Sequence, residues 1–183
     1  MIKIVALFGE SGSGKDTIQN WIVSEFPETA SVLRTTTRPK REKDIDGETY
    51  HFITVEKFGE KVLDGTMLDA TVFNGDWYYG TAIEDLDEDK INVGVFNIES
   101  INCLLEDKRL DIIPVYIWTP DKSRLLRALN REEKPDCQEI CRRFLADKKD
   151  FADENIEFDF LQYYNKDNAP FDKTFWANII KEK

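Results

Sequence analysis

The chain has 183 residues, enough for one domain with its own buried core, and its 41% hydrophobic and 33% charged content is that of a soluble globular protein. Asp and Glu outnumber Lys and Arg by 36 to 25, a net charge of -11. Such a surface repels nucleic-acid phosphates and anionic membranes, so neither is expected as a partner, and a phosphorylated ligand needs a local nest of arginines.

In chain order, Ile2 to Phe8 is a short β-branched run that predicts a buried parallel strand. It ends at Gly9, too soon for a signal peptide or a membrane span. Gly9 to Gly14 is a glycine-serine loop, and Ile18, Trp21, Ile22 and Phe26 follow at helical spacing until Pro27. Ala30 to Thr35 reads as a second strand and Thr36 to Gly47 as a polar, turn-rich stretch. A short strand over Tyr50 to Ile53 precedes a helix over Val55 to Leu63, closed by Gly65. Met67 to Phe73 and Trp77 to Tyr79 flank Asn74-Gly75, a strong hairpin signal.

Two more apolar strands, Ile91 to Ile98 and Ile112 to Trp118, are each followed by a helix, over Glu99 to Glu106 and Asp121 to Asn130. A long helix over Asp136 to Ala152, a strand over Phe158 to Tyr164 and a helix over Phe171 to Ile180 complete the chain. Strands alternating with helices predict an α/β fold with a parallel core sheet and right-handed crossovers. Cys103, Cys137 and Cys141 are an odd set without zinc-ligand spacing, and free thiols suit a reducing cytoplasm.

Gly9-Glu10-Ser11-Gly12-Ser13-Gly14-Lys15 fits G-x-x-x-x-G-K between a buried strand and a helix. Its glycines let backbone N–H groups turn onto phosphate oxygens, the helix N-terminus adds partial positive charge, and Lys15 reaches the β- and γ-phosphates of ATP. The position after the lysine, normally a Mg²⁺-binding Ser or Thr, is Asp16, followed by Thr17. A carboxylate is a hard oxygen ligand, so Asp16 is expected to hold Mg²⁺ directly or through water. ATP-binding candidates are therefore Gly9, Ser11, Gly12, Ser13, Gly14, Lys15, Asp16 and Thr17.

Thr36-Thr37-Arg38-Pro39-Lys40-Arg41 leads through Gly47 to Tyr50-His51-Phe52. Arg38 and Arg41 can clamp one phosphate with forked hydrogen bonds, and Tyr50 can add a hydroxyl. With the phosphate loop and Tyr78-Tyr79-Gly80-Thr81, this segment resembles the guanylate kinase family, whose acceptor segment reads T-T-R-x-x-R, then a glycine, then Y-x-F. The resemblance covers the first half of the chain closely and the second more loosely.

It implies a P-loop NTPase three-layer α/β/α fold: a core of residues 1–33, 83–125 and 146–183, an acceptor-binding insert over 34–82 and a helical lid over 126–145. It gives acceptor-phosphate binding to Arg38, Arg41, Tyr50 and Tyr79, with base reading by Thr81. Where the family has D-x-D, this chain has Asn97-Ile98-Glu99, so Glu99 falls near acceptor and metal. Arg127, Arg131 and Arg143 lie at the spacing of the lid arginines, and Asn165 falls beside adenine. Lys15, Arg38, Arg131 and Arg143 would stabilise the transferring group.

The family reads guanine with a Glu and a Ser, here Asp69 and Arg34. Two readings stand. Arg34 can donate to guanine O6 and N7, as arginine does on DNA. Otherwise it pairs with Asp69 or fills the site, and the acceptor is another base or no base. The expected activity is ATP- and Mg²⁺-dependent phosphorylation of GMP or dGMP, small-molecule chemistry in the cytoplasm. Ribose 1,5-bisphosphate kinases look similar and can also carry G-K-D. A phosphopeptide-binding guanylate-kinase-like domain is the non-enzymatic alternative, but such domains have degraded phosphate loops, and here the glycines and Lys15 are intact.

Overall fold

Ile2–Phe8 forms β1, the middle strand of a five-stranded parallel sheet ordered β2-β7-β1-β8-β9, with β2 at Thr29–Ser31, β7 at Ile91–Val95, β8 at Leu110–Trp118 and β9 at Leu161–Tyr164. The computed structural model describes residues 1–40, 44–73, 76–131, 133–152, 155–167 and 169–181. A parallel strand is apolar where it is buried on both faces, and β1 from Ile4 to Phe8 shows why. Val5 and Leu7 pack with Ile18 and Ile22 of α1 (Lys15–Glu25) and Trp176 and Ile179 of α6 (Lys173–Lys181). Ile4, Ala6 and Phe8 point the other way, onto Ile101 and Leu104 of α3 (Ile98–Glu106). Alternation along one strand thus sets the two outer layers of a three-layer α/β/α core.

A second sheet, ordered β4-β3-β6-β5, is built from Thr35–Thr36 (β3), His51–Phe52 (β4), Met67–Phe73 (β5) and Trp77–Ala82 (β6). Helix α2 (Val55–Leu63) packs on it, capped by Thr54, whose hydroxyl accepts from Lys57 N at 3.3 Å. Gly65 (φ 75°) takes the left-handed conformation just past its end. The Asn74-Gly75 turn between β5 and β6 lies outside the described residues, though the antiparallel pairing it would join is present.

The single strand expected over Ala30 to Thr35 is two. Thr29–Ser31 pairs with β7 in the core sheet, and Thr35–Thr36 pairs with β4 and β6 in the other. Strand propensity runs through both, but the pairing partner changes, and Arg34 stands at the joint. The strand expected to reach Ile98 stops at Val95, because Asn97 caps α3 by accepting from Ser100 N at 2.7 Å. The last strand starts at Leu161; Phe158 and Phe160 pack against Phe8 instead. Helices α4 (Asp121–Leu129) and α5 (Cys137–Asp150) lie on the phosphate-loop side of the sheet.

Candidate active site

The phosphate loop leaves β1 at its carboxyl end. Gly9 (φ 141°), Gly12 (φ 79°) and Gly14 (φ 93°) all have positive φ. At Gly9 and Gly14 a side chain would also collide: a Cβ would lie 2.7 Å from Ile117 O and 2.6 Å from Asn165 Nδ2. The loop carbonyls are all engaged. Lys15 Nζ donates to Gly9 O (2.8 Å) and Glu10 O (3.1 Å), and Arg124 Nη1 to Ser11 O (3.1 Å). Arg127 Nη1 donates to Gly12 O at 3.2 Å. Ser13 O accepts from Asn165 Nδ2 (2.7 Å) and Thr119 Oγ1 (3.0 Å). The first helical bond of α1 runs from Ile18 N to Gly14 O, so the amides of Lys15, Asp16 and Thr17 lack intrahelical acceptors. Such a terminus attracts phosphate oxygens.

A cavity of about 390 Å³ opens over this loop. Ser11, Gly12, Gly14, Lys15, Asp16 and Thr17 line its floor, and Arg124, Arg127, Arg131 and Arg143 its walls. Of the sequence candidates, Arg131 and Arg143 meet here with Lys15. Arg143 is exposed and donates to Glu139 Oε1 at 2.6 Å. Glu139 also binds Arg142, and the pair of guanidiniums, Arg142 first, pulls its carboxyl down to about 2. Burial lowers the Lys15 pKa, with the charges of Asp16 and Asp147 working against the shift.

Arg124 was not a sequence candidate. It is fully buried, and its Nη2 bonds Glu10 Oε1 at 2.9 Å and Asp121 Oδ1 at 3.0 Å. Asp147 of α5 accepts from Ser11 N at 2.6 Å, joining α5 to the loop. In sequence these are ordinary charges on helical surfaces, and only the i, i+3 spacing of Asp121 and Arg124 hints at a pair. Asn165, set beside adenine by the resemblance, uses its amide to brace Ser13.

On the acceptor side, Arg38 is buried, its Nη2 2.8 Å from Asp44 Oδ2, and its guanidinium lies over the rings of Tyr50 (5.7 Å) and Phe52 (5.5 Å). Burial opposes the Arg38 charge, but hydrogen bonds with Asp44 and Tyr79 outweigh it and raise the pKa. The Tyr50 and Tyr79 rings are 5.8 Å apart, and burial, then Tyr79, pushes the Tyr50 hydroxyl up. Arg41 lies outside the described residues. Asp44, missed in sequence, looks there like one more charge in a polar loop.

Arg34 pairs with Asp69, the second of the two arrangements left open by the sequence, and donates to Thr81 Oγ1 (3.3 Å) and Ser100 Oγ (2.9 Å). A register shift between Met67 and Asp69 in β5 turns the Asp69 side chain inward. Glu99 sits exposed in the first turn of α3. Asp16 is exposed too, and it lines the cavity over the phosphate loop beside Lys15. A metal ion held between substrate phosphates needs only one or two carboxylates, and Asp16 fits that demand. Among the described residues there is no group of three or more His, Cys, Asp or Glu placed to hold a metal alone, nor a helix long and apolar enough to cross a membrane.

Comparison with known proteins agrees with this geometry. The family model for guanylate kinase matches residues 1–177. The guanylate kinase of Paramagnetospirillum magneticum is 31% identical over 164 residues, covering 86% of this chain and 75% of that protein. That of Prochlorococcus marinus is 29% identical over 172 residues, covering 91% and 92%. The crystal structure of guanylate kinase from Anaplasma phagocytophilum superposes with a TM-score of 0.62 at 18% identity, over 91% of this chain and 77% of that one, a likeness of fold. A parallel core sheet, a braced phosphate loop, a second sheet carrying Arg38, Tyr50 and Tyr79, and a family match across nearly the whole length lead to one assignment: the chain belongs to the guanylate kinase family.

Proposed function

We propose that the chain transfers the γ-phosphoryl group of ATP to the phosphate of GMP or dGMP, giving ADP and the nucleoside diphosphate. The observation that carries this reading is the shared cavity of Lys15, the loop and the arginines of α4 and α5, together with the Arg38–Tyr50–Tyr79 group beside the second sheet. Three parts divide the work: a core of residues 1–33, 83–125 and 146–183, an acceptor insert of 34–82, and a lid of 126–145.

Phosphoryl transfer asks a protein mainly for alignment and charge neutralisation. The loop amides and Lys15 hold the β- and γ-phosphates. Arg38, Tyr50 and Tyr79, with Arg41, fix the acceptor phosphate, already an anion, so no general base is required. Arg131 and Arg143 exchange solvent and Glu139 for the transferring group and exclude water as the lid closes. Asp16, with Glu99, would hold Mg²⁺, which would supply neutralisation of phosphate charge. Free Cys103, Cys137 and Cys141 suit a cytoplasmic setting.

The test is coupled ATP consumption with GMP, dGMP, AMP, CMP, UMP, dTMP and ribose 1,5-bisphosphate. Turnover is expected with the guanine nucleotides. Turnover with ribose 1,5-bisphosphate alone, or with none of the seven, sinks the reading.

A further inference from the structure

The base end of the acceptor cleft is closed by its own residues. The Arg34 guanidinium lies 5.2 Å from the Phe96 ring centroid. Its Nη2 donates to Asp69 Oδ2 and to Ser100 Oγ, and its Nε to Thr81 Oγ1. Asp69, Thr81 and Ser100 are all buried. The other carboxylate oxygen, Asp69 Oδ1, is sealed from solvent with no hydrogen-bond partner among the described residues. One oxygen of the acid is therefore held by a guanidinium and the other is closed off from solvent.

A base is told from its analogues by which donors and acceptors meet it. An amino group on C2 of a purine is a donor, and only a free acceptor reads it. A ring keto oxygen is an acceptor, and a guanidinium, which can only donate, reads it. Arg34 is the donor here, and the acid is already tied to it. The N–C–N fork of Arg34 also has the same donor pattern as the N1–C2–N2 edge of guanine, and it already sits on the carboxylate that such an edge would seek.

We infer, on the basis of the kinase reading above, that Arg34 reads the 6-keto oxygen and that the 2-amino group goes unread. The acceptor class is then the 6-oxopurine monophosphates as a whole, inosine monophosphate (IMP) as well as GMP. Adenine is refused, because its 6-amino group meets a donor.

The experiment is kcat/KM for GMP, IMP and AMP with ATP and Mg²⁺. A site that hydrogen-bonds a substrate N–H rejects the analogue lacking it by about 10⁴-fold, so IMP within about tenfold of GMP is the expected result and a larger preference for GMP overturns the inference. Such a preference would mean that another acceptor, such as the exposed Glu99, reads the amino group. Failure with both GMP and IMP is a different outcome, for it removes the kinase reading itself. In Arg34→Ser the acid is released, and the GMP-to-IMP ratio is expected to rise by about tenfold or more. An unchanged ratio in that variant, with a cooperative melt to show that it folds, also overturns the inference. The wild-type ratio decides the matter without the variant.

Discussion

The two halves of the cleft hold their cations in different ways. On the donor side Lys15 rests on main-chain carbonyls, Gly9 O and Glu10 O, which are neutral and weak competitors for an ammonium. On the acceptor side Arg34 and Arg38 rest on carboxylates, Asp69 and Asp44. In the proposed reaction a triphosphate would take Lys15 from a neutral partner, while the acceptor phosphate would have to displace an anion from Arg38. The donor half is ready before its ligand arrives. The acceptor half trades one anion for another, and base choice depends on a pair that is already closed.

This contrast rests first on the loop being fixed from behind. Arg124→Ala takes from buried Glu10 its closest cation and leaves it only the longer contact to half-exposed Lys148, 3.6 Å away. Breaking a buried pair from one side costs about 3–5 kcal/mol. For a chain of this length that is a fall of about 6–20 °C in melting temperature, read by calorimetry. A loss under about 1 kcal/mol, typical of an exposed pair, would mean that the loop is held by its glycines and α1 alone.

Lys15→Met should separate activity from stability. Removing one preorganised donor from a transferring group costs about 10²–10³ in kcat. The Lys15 pKa is depressed in the folded chain by burial. A group shifted that way adds stability above its ordinary pKa and loses it as pH falls through the folded value, so at pH 7, below the ordinary value, its burial opposes folding. The melting temperature of Lys15→Met is accordingly expected not to fall. A variant that loses both rate and stability would show that Lys15 holds the loop more than it serves the phosphates.

The same contrast explains how much was legible in sequence. The donor loop is local: strand, glycines, lysine and helix are consecutive, so Gly9 to Thr17 could be read from spacing alone. Arg38, Tyr50 and Tyr79 came from a family pattern, and the structure gathers them through pairing of β3 with β4 and β6. What was missed is non-local. Arg124 meets Glu10 across 114 residues and Ser100 meets Arg34 across 66. No period in the chain marks such pairs. The break of one expected strand at Arg34 was hidden because strand-forming residues run on through a change of partner.

Two variants on the acceptor side sharpen the exchange idea. A charge-assisted hydrogen bond contributes about 1.5–3 kcal/mol, so Arg38→Met is expected to lower kcat/KM for the acceptor by about 10–150-fold with little change in the KM for ATP. Asp44→Asn removes the resident competitor instead. The competent fraction of Arg38 then rises and the acceptor KM falls by about twofold to fivefold, with kcat kept. If the acceptor KM rises instead, Asp44 is a support for Arg38 rather than a stand-in for phosphate.

Asp16 lines the phosphate-loop cavity on the donor side, and its effect is expected to be the smallest. An exposed carboxylate adds no more than about 1 kcal/mol to a charge interaction. Asp16→Ser restores the more usual hydroxyl, so metal binding is weakened rather than abolished. The Mg²⁺ concentration for half-maximal rate should rise by up to about fivefold while kcat stays nearly constant. The reason is that the carboxylate acts on the charge of Lys15, beside which it lines the phosphate-loop cavity. A metal between the two sets of phosphates would feel the same charge. Should kcat rise strongly with no change in the Mg²⁺ requirement, Asp16 merely repels the phosphates, and the donor half is less ready for its ligand than its carbonyl-held lysine implies.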